Sequence, residues 1–106
     1  MSGDLALQKE IVIDFNLITE SYLNMFAADV RLLLNVLFTG SYFPVRVRGS
    51  KSEISAFTRA LAGEKRYITS LHQYGLNNPK TYRDKFKLDA AVKSFEAETG
   101  LRWPFK

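Results

Sequence analysis

The segment ESYLNMFAADVRLLLNVLF, residues 20–38, constrains the fold more than any other part of the chain. Thr19 can cap a helix there, and Gly40 stands just beyond its end. On a helical wheel Glu20, Asn24, Arg31 and Asn35 form one narrow polar stripe, and nearly every other position is apolar. Such a helix has to be covered on several sides. In a chain of 106 residues a sheet face and two further helices can do this, or a second subunit can. A membrane is a poorer cover. The apolar run is short for a span, and Asp29 and Arg31 would each cost about 2.5–3.5 kcal/mol near a bilayer centre.

The wheel also sets Asp29 in the middle of the apolar face, among Tyr22, Met25, Phe26, Leu33 and Val36. A carboxylate there needs an ion pair or hydrogen-bond donors, so a partner for Asp29 is expected within the fold or across a subunit interface. A raised-pKa acid or a partner contact are the functional alternatives. No second acid or base stands at a defined spacing from it, so Asp29 is not assigned to catalysis.

Covering this helix calls for a sheet. In YFPVRVRGS, residues 42–50, Phe43, Val45 and Val47 alternate with Arg46 and Arg48, which predicts a strand with an apolar side to bury and a basic side facing out or across an interface. Its partner is KEIVIDFN, residues 9–16, with Ile11, Ile13 and Phe15 at period two. A helical reading also exists for that stretch, because Leu7, Ile11, Phe15, Ile18 and Tyr22 fall at three- and four-residue steps. Candidate partners for these arginines are phosphate or acids such as Asp14 and Glu10, and if the two strands pair, Asp14 comes near Arg46 or Arg48, satisfying one arginine and leaving the other available to phosphate.

The rest reads as helices. Ser50-Lys51-Ser52-Glu53 is a capping box, and Ile54, Phe57, Leu61, Ile68 and Leu71 share a face of the helix that follows. Gly63 lies inside that helix, where a kink or break is expected. Tyr74-Gly75-Leu76 reads as a stop with the leucine folding back, and Asn78-Pro79 as a new start. Between Lys80 and Thr99, Tyr82 and Phe86 are followed by Leu88, Val92 and Phe95 on a different face, which suggests two short helices or a bend. Gly100-Leu101 repeats the stop, and Trp103 and Phe105 of the RWPFK tail are too apolar to remain loose. The expected fold is α+β, a single domain over residues 1–106 in the order strand, helix, strand, helix, helix. The two strands pair, the helices pack largely on one face, and dimerisation can extend the sheet.

Much chemistry is excluded. There is no cysteine and one histidine, His72, so thiolate and multi-histidine metal sites cannot form, and no histidine-based nucleophilic site is assembled by any local spacing. No two glycines have the spacing of a phosphate loop or dinucleotide fingerprint. The expectation is a non-enzymatic protein without a cofactor. MSGDLALQKE lacks the basic and apolar regions of a secretion signal, which points to the cytoplasm. The segment AVKSFEAETGL, residues 91–101, resembles the A-V-x-x-F-Q-x-x-x-G-L run of peptidoglycan-binding repeats. It has Glu where that family has Gln, and RWPFK where the family has an Asp-Gly turn. An amphipathic helix ending in Gly-Leu yields the same letters, and no family is assigned on it.

Charge carries the functional hint. Residues 1–40 hold two basic residues against five acidic ones, and residues 41–106 hold thirteen against six. The basic set is Arg46, Arg48 and Lys51 around the second strand, Arg59, Lys65 and Arg66 on the long helix, and Lys80, Arg83, Lys85 and Lys87 beyond it, interleaved with Tyr67, Tyr74 and Tyr82. Bases to neutralise phosphates with tyrosines to stack describe a DNA or RNA surface, although a solvated face uses the same residues. The helices around the GLNNP connection could also imitate a helix-turn-helix. The alternative is an assembly or adaptor protein, homodimeric or bound to a protein partner. It would use Met25, Phe26, Asp29 and Leu33 of the first helix, the strand edge, and Trp103 and Phe105 of the tail.

Overall fold

The computed structural model describes residues 10–17, 20–40 and 42–105, apart from the side chains of Glu20 and Ser21. Thr19, the expected first cap, lies outside the described residues, as do Lys9, Ile18 and the N-terminal stretch read for a secretion signal. The fold is α+β: β1 (Ile11–Asp14), α1 (Glu20–Thr39), β2 (Val45–Arg48), α2 (Lys51–Tyr74) and α3 (Pro79–Thr99). Two compact units divide the chain, Met1–Gly49 and Ser50–Lys106.

In the first unit β1 and β2 pair in parallel, Ile11 opposite Val45 and Asp14 opposite Arg48. Parallel neighbours need a crossover, and α1 supplies it. The strand reading therefore holds for Ile11–Asp14, and alternation does what it should there and just beyond: Ile11, Ile13 and Phe15 are buried. They meet α1, whose Tyr22, Phe26, Val30, Leu33 and Leu34 are buried at steps of three and four. The Phe15 and Phe26 rings meet edge-on at 6.1 Å, and the Asp14 amide donates to the Tyr22 hydroxyl at 2.6 Å.

The expected burial of Phe43, Val45 and Val47 fails here. Val45 is 40% exposed and Phe43 and Val47 are only half-buried. On α1, Leu23, Met25, Leu37 and Phe38 also remain exposed. The sheet has two strands among the described residues and α1 packs on β1, so β2 is the outer strand and α1 keeps apolar side chains exposed on both flanks of its buried stripe. Asp29 is half-buried instead of central to the core, and it has no hydrogen-bond or ion-pair partner among the described residues. Partial burial pushes its carboxyl above the ordinary aspartate range.

The second unit is a helical hairpin with a docked tail. The Ser50 hydroxyl accepts from the Glu53 amide at 3.1 Å and the Glu53 carboxylate from the Ser50 amide at 2.8 Å, closing the capping box. Asn78 accepts from the Lys80 amide at 2.9 Å, with Pro79 in the first turn. Gly63 does not break α2. It is buried where α3 crosses closest, and a methyl group added there would stand 3.4 Å from Leu88 Cδ1 and 3.5 Å from Leu88 Cα. The contacts Phe57–Phe95, Gly63–Leu88 and Ser70–Asp84 advance along α2 as they retreat along α3. The helices are therefore antiparallel over their lengths, which is not the steep crossing of a helix-turn-helix.

α3 is one helix without the expected division. Leu88, Val92 and Phe95 are buried, and the face change arises because Tyr82 and Phe86 point to solvent. At the hairpin Gly75 has φ +83° and ψ 175°, and Leu76 stays exposed instead of folding back. At the other end Gly100 is left-handed and Leu101 is buried, as that stop requires. The tail then docks, Trp103 packing edge-on to Phe95 at 5.2 Å and touching Phe57 and Phe105.

Candidate nucleic-acid interface

The first unit positions two of the ten predicted bases. Arg46 reaches Glu10 at 3.7 Å in an exposed ion pair. Arg48 lies opposite Asp14, but the Asp14 carboxylate accepts from the Asn16 amide at 2.9 Å, and Arg48 has no acidic partner among the described residues. The acid that meets an arginine is thus Glu10 and not Asp14, the one that strand pairing alone predicts.

The other eight belong to the second unit, and all are exposed. Lys51 opens α2. Arg59 and Arg66, two turns apart, share a face of that helix. Lys65 and Arg66 line an open depression of about 370 Å³ with Ala62, Thr69 and Ser70. On α3, Lys80, Arg83 and Lys87 follow one another at three- and four-residue steps and so form a single stripe. Lys80 also sits 4.6 Å over the Tyr74 ring, a cation–π contact that orients it. Lys85 points elsewhere: it bonds to Asp89 at 2.7 Å, which raises its pKa, and lies 5.8 Å from the Tyr67 ring.

Beside this stripe stand two exposed rings, Tyr82 at 56% and Phe86 at 77%. They are one turn apart on the side of α3 away from Leu88, Val92 and Phe95, and Lys93, two turns beyond Phe86, extends their row. The Tyr82 hydroxyl donates to Asn77 at 3.1 Å. Asp84 is the one acid between Pro79 and Leu88, and it is buried, accepting from the Ser70 hydroxyl across the hairpin. Thr81, buried beside it, donates to the Gly75 carbonyl at 2.7 Å. Every exposed charge on the first half of α3 is therefore positive.

Phe86 and Lys93 are the residues that sequence reasoning missed here. The signal was present, because rings out of phase with Leu88, Val92 and Phe95 on an unbroken helix must leave the core.

The residues predicted for partner contact divide. Phe26, Leu33 and Trp103 are buried within their own chain, Asp29 and Phe105 are half-buried, and Met25 is exposed. Trp103 is held by two carboxylates: its indole N–H donates to Glu64 at 2.8 Å and its amide to Glu96 at 2.9 Å. Burial pushes the Glu64 carboxyl up, the indole bond and the charge of Lys85 draw it down, and Asp89 adds to the rise. Glu64 was also missed, although it lies two turns after Phe57 and one after Ala60 on the buried stripe of α2. Its role is to anchor the tail. No group of three metal-ligating side chains occurs among the described residues, and no helix among them is long and apolar enough to cross a membrane. Comparison with protein-family models, with curated proteins and with solved structures yields no match.

Proposed function

We propose that this protein is a small non-enzymatic nucleic-acid-binding protein of the cytoplasm, accessory or regulatory in role, which contacts phosphates through the exposed bases of its second unit. The observation that carries the reading is the outer face of α3, where Lys80, Arg83 and Lys87 align, Asp84 is turned inward onto Ser70 and the exposed Asp89 is paired with Lys85. A stripe of uncompensated positive charge on a rigid helix suits a polyanion, and such binding is driven by counterion release.

The test is a titration of labelled DNA and RNA against the protein at a series of salt concentrations. Affinity should fall steeply with salt. Changing Lys80, Arg83 and Lys87 together to Ala should flatten the log–log slope by about 2 on single strands and nearly 3 on B-form DNA, the loss of three phosphate contacts. Absence of binding at low salt, or an unchanged slope in the triple variant, would refute it.

A second reading is favoured by the side of α1 on which Leu23, Leu37 and Phe38 are exposed, with Met25 59% exposed elsewhere on the helix. That side, together with the outer edge of β2, would serve a homodimer or a protein partner. A solution mass that stays monomeric up to millimolar protein would remove the dimer.

A further inference from the structure

We infer that the outer face of α3 accepts single-stranded nucleic acid, with Phe86 and Tyr82 as platforms for unpaired bases. This rests on the nucleic-acid reading above and names its substrate class. Phe86 is 77% exposed on the face of α3 turned away from the buried Leu88, Val92 and Phe95. Its surroundings are mostly basic: Arg83 and Lys87 are its neighbours three before and one after along the chain, Lys93 lies two turns on, and the exposed acid three after Phe86, Asp89, is paired with Lys85. Exposed rings set among cations, with no exposed acid between Pro79 and Leu88, complement a ligand that is anionic and also presents flat apolar faces. Unpaired nucleotides have both properties.

Duplex fits less well. Its bases offer only their edges in the grooves, and their ring faces are already stacked on one another. A single strand running along α3 would meet Lys80, Arg83 and Lys87 with its phosphates and the rings with its bases. Tyr82 and Phe86 stand about 6 Å apart along the helix axis. Tyr82 is held in advance by its bond to Asn77, so little ordering remains to be done at binding.

The experiment compares a labelled oligothymidylate with a duplex of equal length, at equal salt, by fluorescence anisotropy, using the full chain and the variants Phe86→Ala and Phe86→Trp. The single strand should bind more tightly. Phe86→Ala should weaken it by about 5- to 140-fold, the usual loss for one stacked base, with the salt slope unchanged because no phosphate contact is removed. Phe86→Trp should retain the affinity, and its emission should be quenched on binding. Equal affinity for duplex, or full single-strand affinity in Phe86→Ala, would overturn the stacking site while leaving the phosphate reading intact. Absence of salt-dependent binding to either oligonucleotide would overturn both, and a protein partner would then be the occupant of this face. Circular dichroism of the variants should match the parent, since an outward side chain on α3 bears no core contact.

Discussion

Replacing Glu64 by Gln and Trp103 by Phe, singly and together, measures the bond that fastens the tail. The indole N–H lies 2.8 Å from a Glu64 oxygen, and the carboxylate is only 5% exposed. A hydrogen bond to an ionised acceptor in such a place contributes about 1.5–3 kcal/mol, against about 1 kcal/mol for a neutral one. Because the Gln oxygen still accepts from the indole, the coupling energy from the cycle is the difference between the two, about 0.5–2 kcal/mol near neutral pH, a shift of several degrees in Tm at this chain length. Trp103 is the one tryptophan and is buried, so its emission reports undocking of the tail while circular dichroism reports the helices.

The pH dependence of this pair has two opposite parts. Burial outweighs the indole and Lys85, so the folded-state pKa of Glu64 is raised above the unfolded value. Its contribution to stability is then full below the unfolded pKa and is lost as pH rises through the raised one. Relative to Glu64→Gln, which cannot titrate, the parent should therefore gain stability as pH falls through that window. The coupling to Trp103 should weaken over the same window, because the acceptor becomes neutral. A coupling below about 0.5 kcal/mol, or a parent that loses stability to Glu64→Gln on acidification, would refute this account of the tail.

Ser50→Ala should destabilise the second unit by about 0.5–2 kcal/mol in a denaturant titration, because it removes the acceptor for the Glu53 amide at the start of α2. Asp29→Asn should raise Tm at neutral pH, since the parent carboxyl is penalised by burial alone and its contribution is lost as pH rises through its raised pKa. That gain should vanish in acid below the ordinary aspartate pKa, and a destabilised Asn variant at neutral pH would show that Asp29 has a partner.

The sequence alone determined whatever depends on a few neighbouring residues. Ser50 with Glu53, Asn78 with Pro79, and Gly100 with Leu101 set helix ends through bonds and dihedrals within one turn, and all three stand where the residue types placed them. Alternation in Ile11, Ile13 and Phe15 marked their buried side, while the choice of strand over helix there waited on pairing with β2. The types and positions of the bases were equally plain. Tertiary structure decided everything that depends on which surface meets which. Gly63 reads as a break in isolation and becomes a contact only because Leu88 lies against it. Tyr82 and Phe86 fall out of phase with Leu88 and Phe95, and it is the unbroken course of α3 along the hairpin that leaves them outside. Asp84 looks like one more surface acid among the bases until Ser70, on the other helix, draws it in. Val45 alternates as a core residue should, but β2 is the outer strand and receives little cover. Capping and alternation are local and act through bonds a few residues long. Burial and the sign of a surface are set by contacts between residues far apart in the chain, so the basic, aromatic face of α3 came into view only once α2 had packed on its other side.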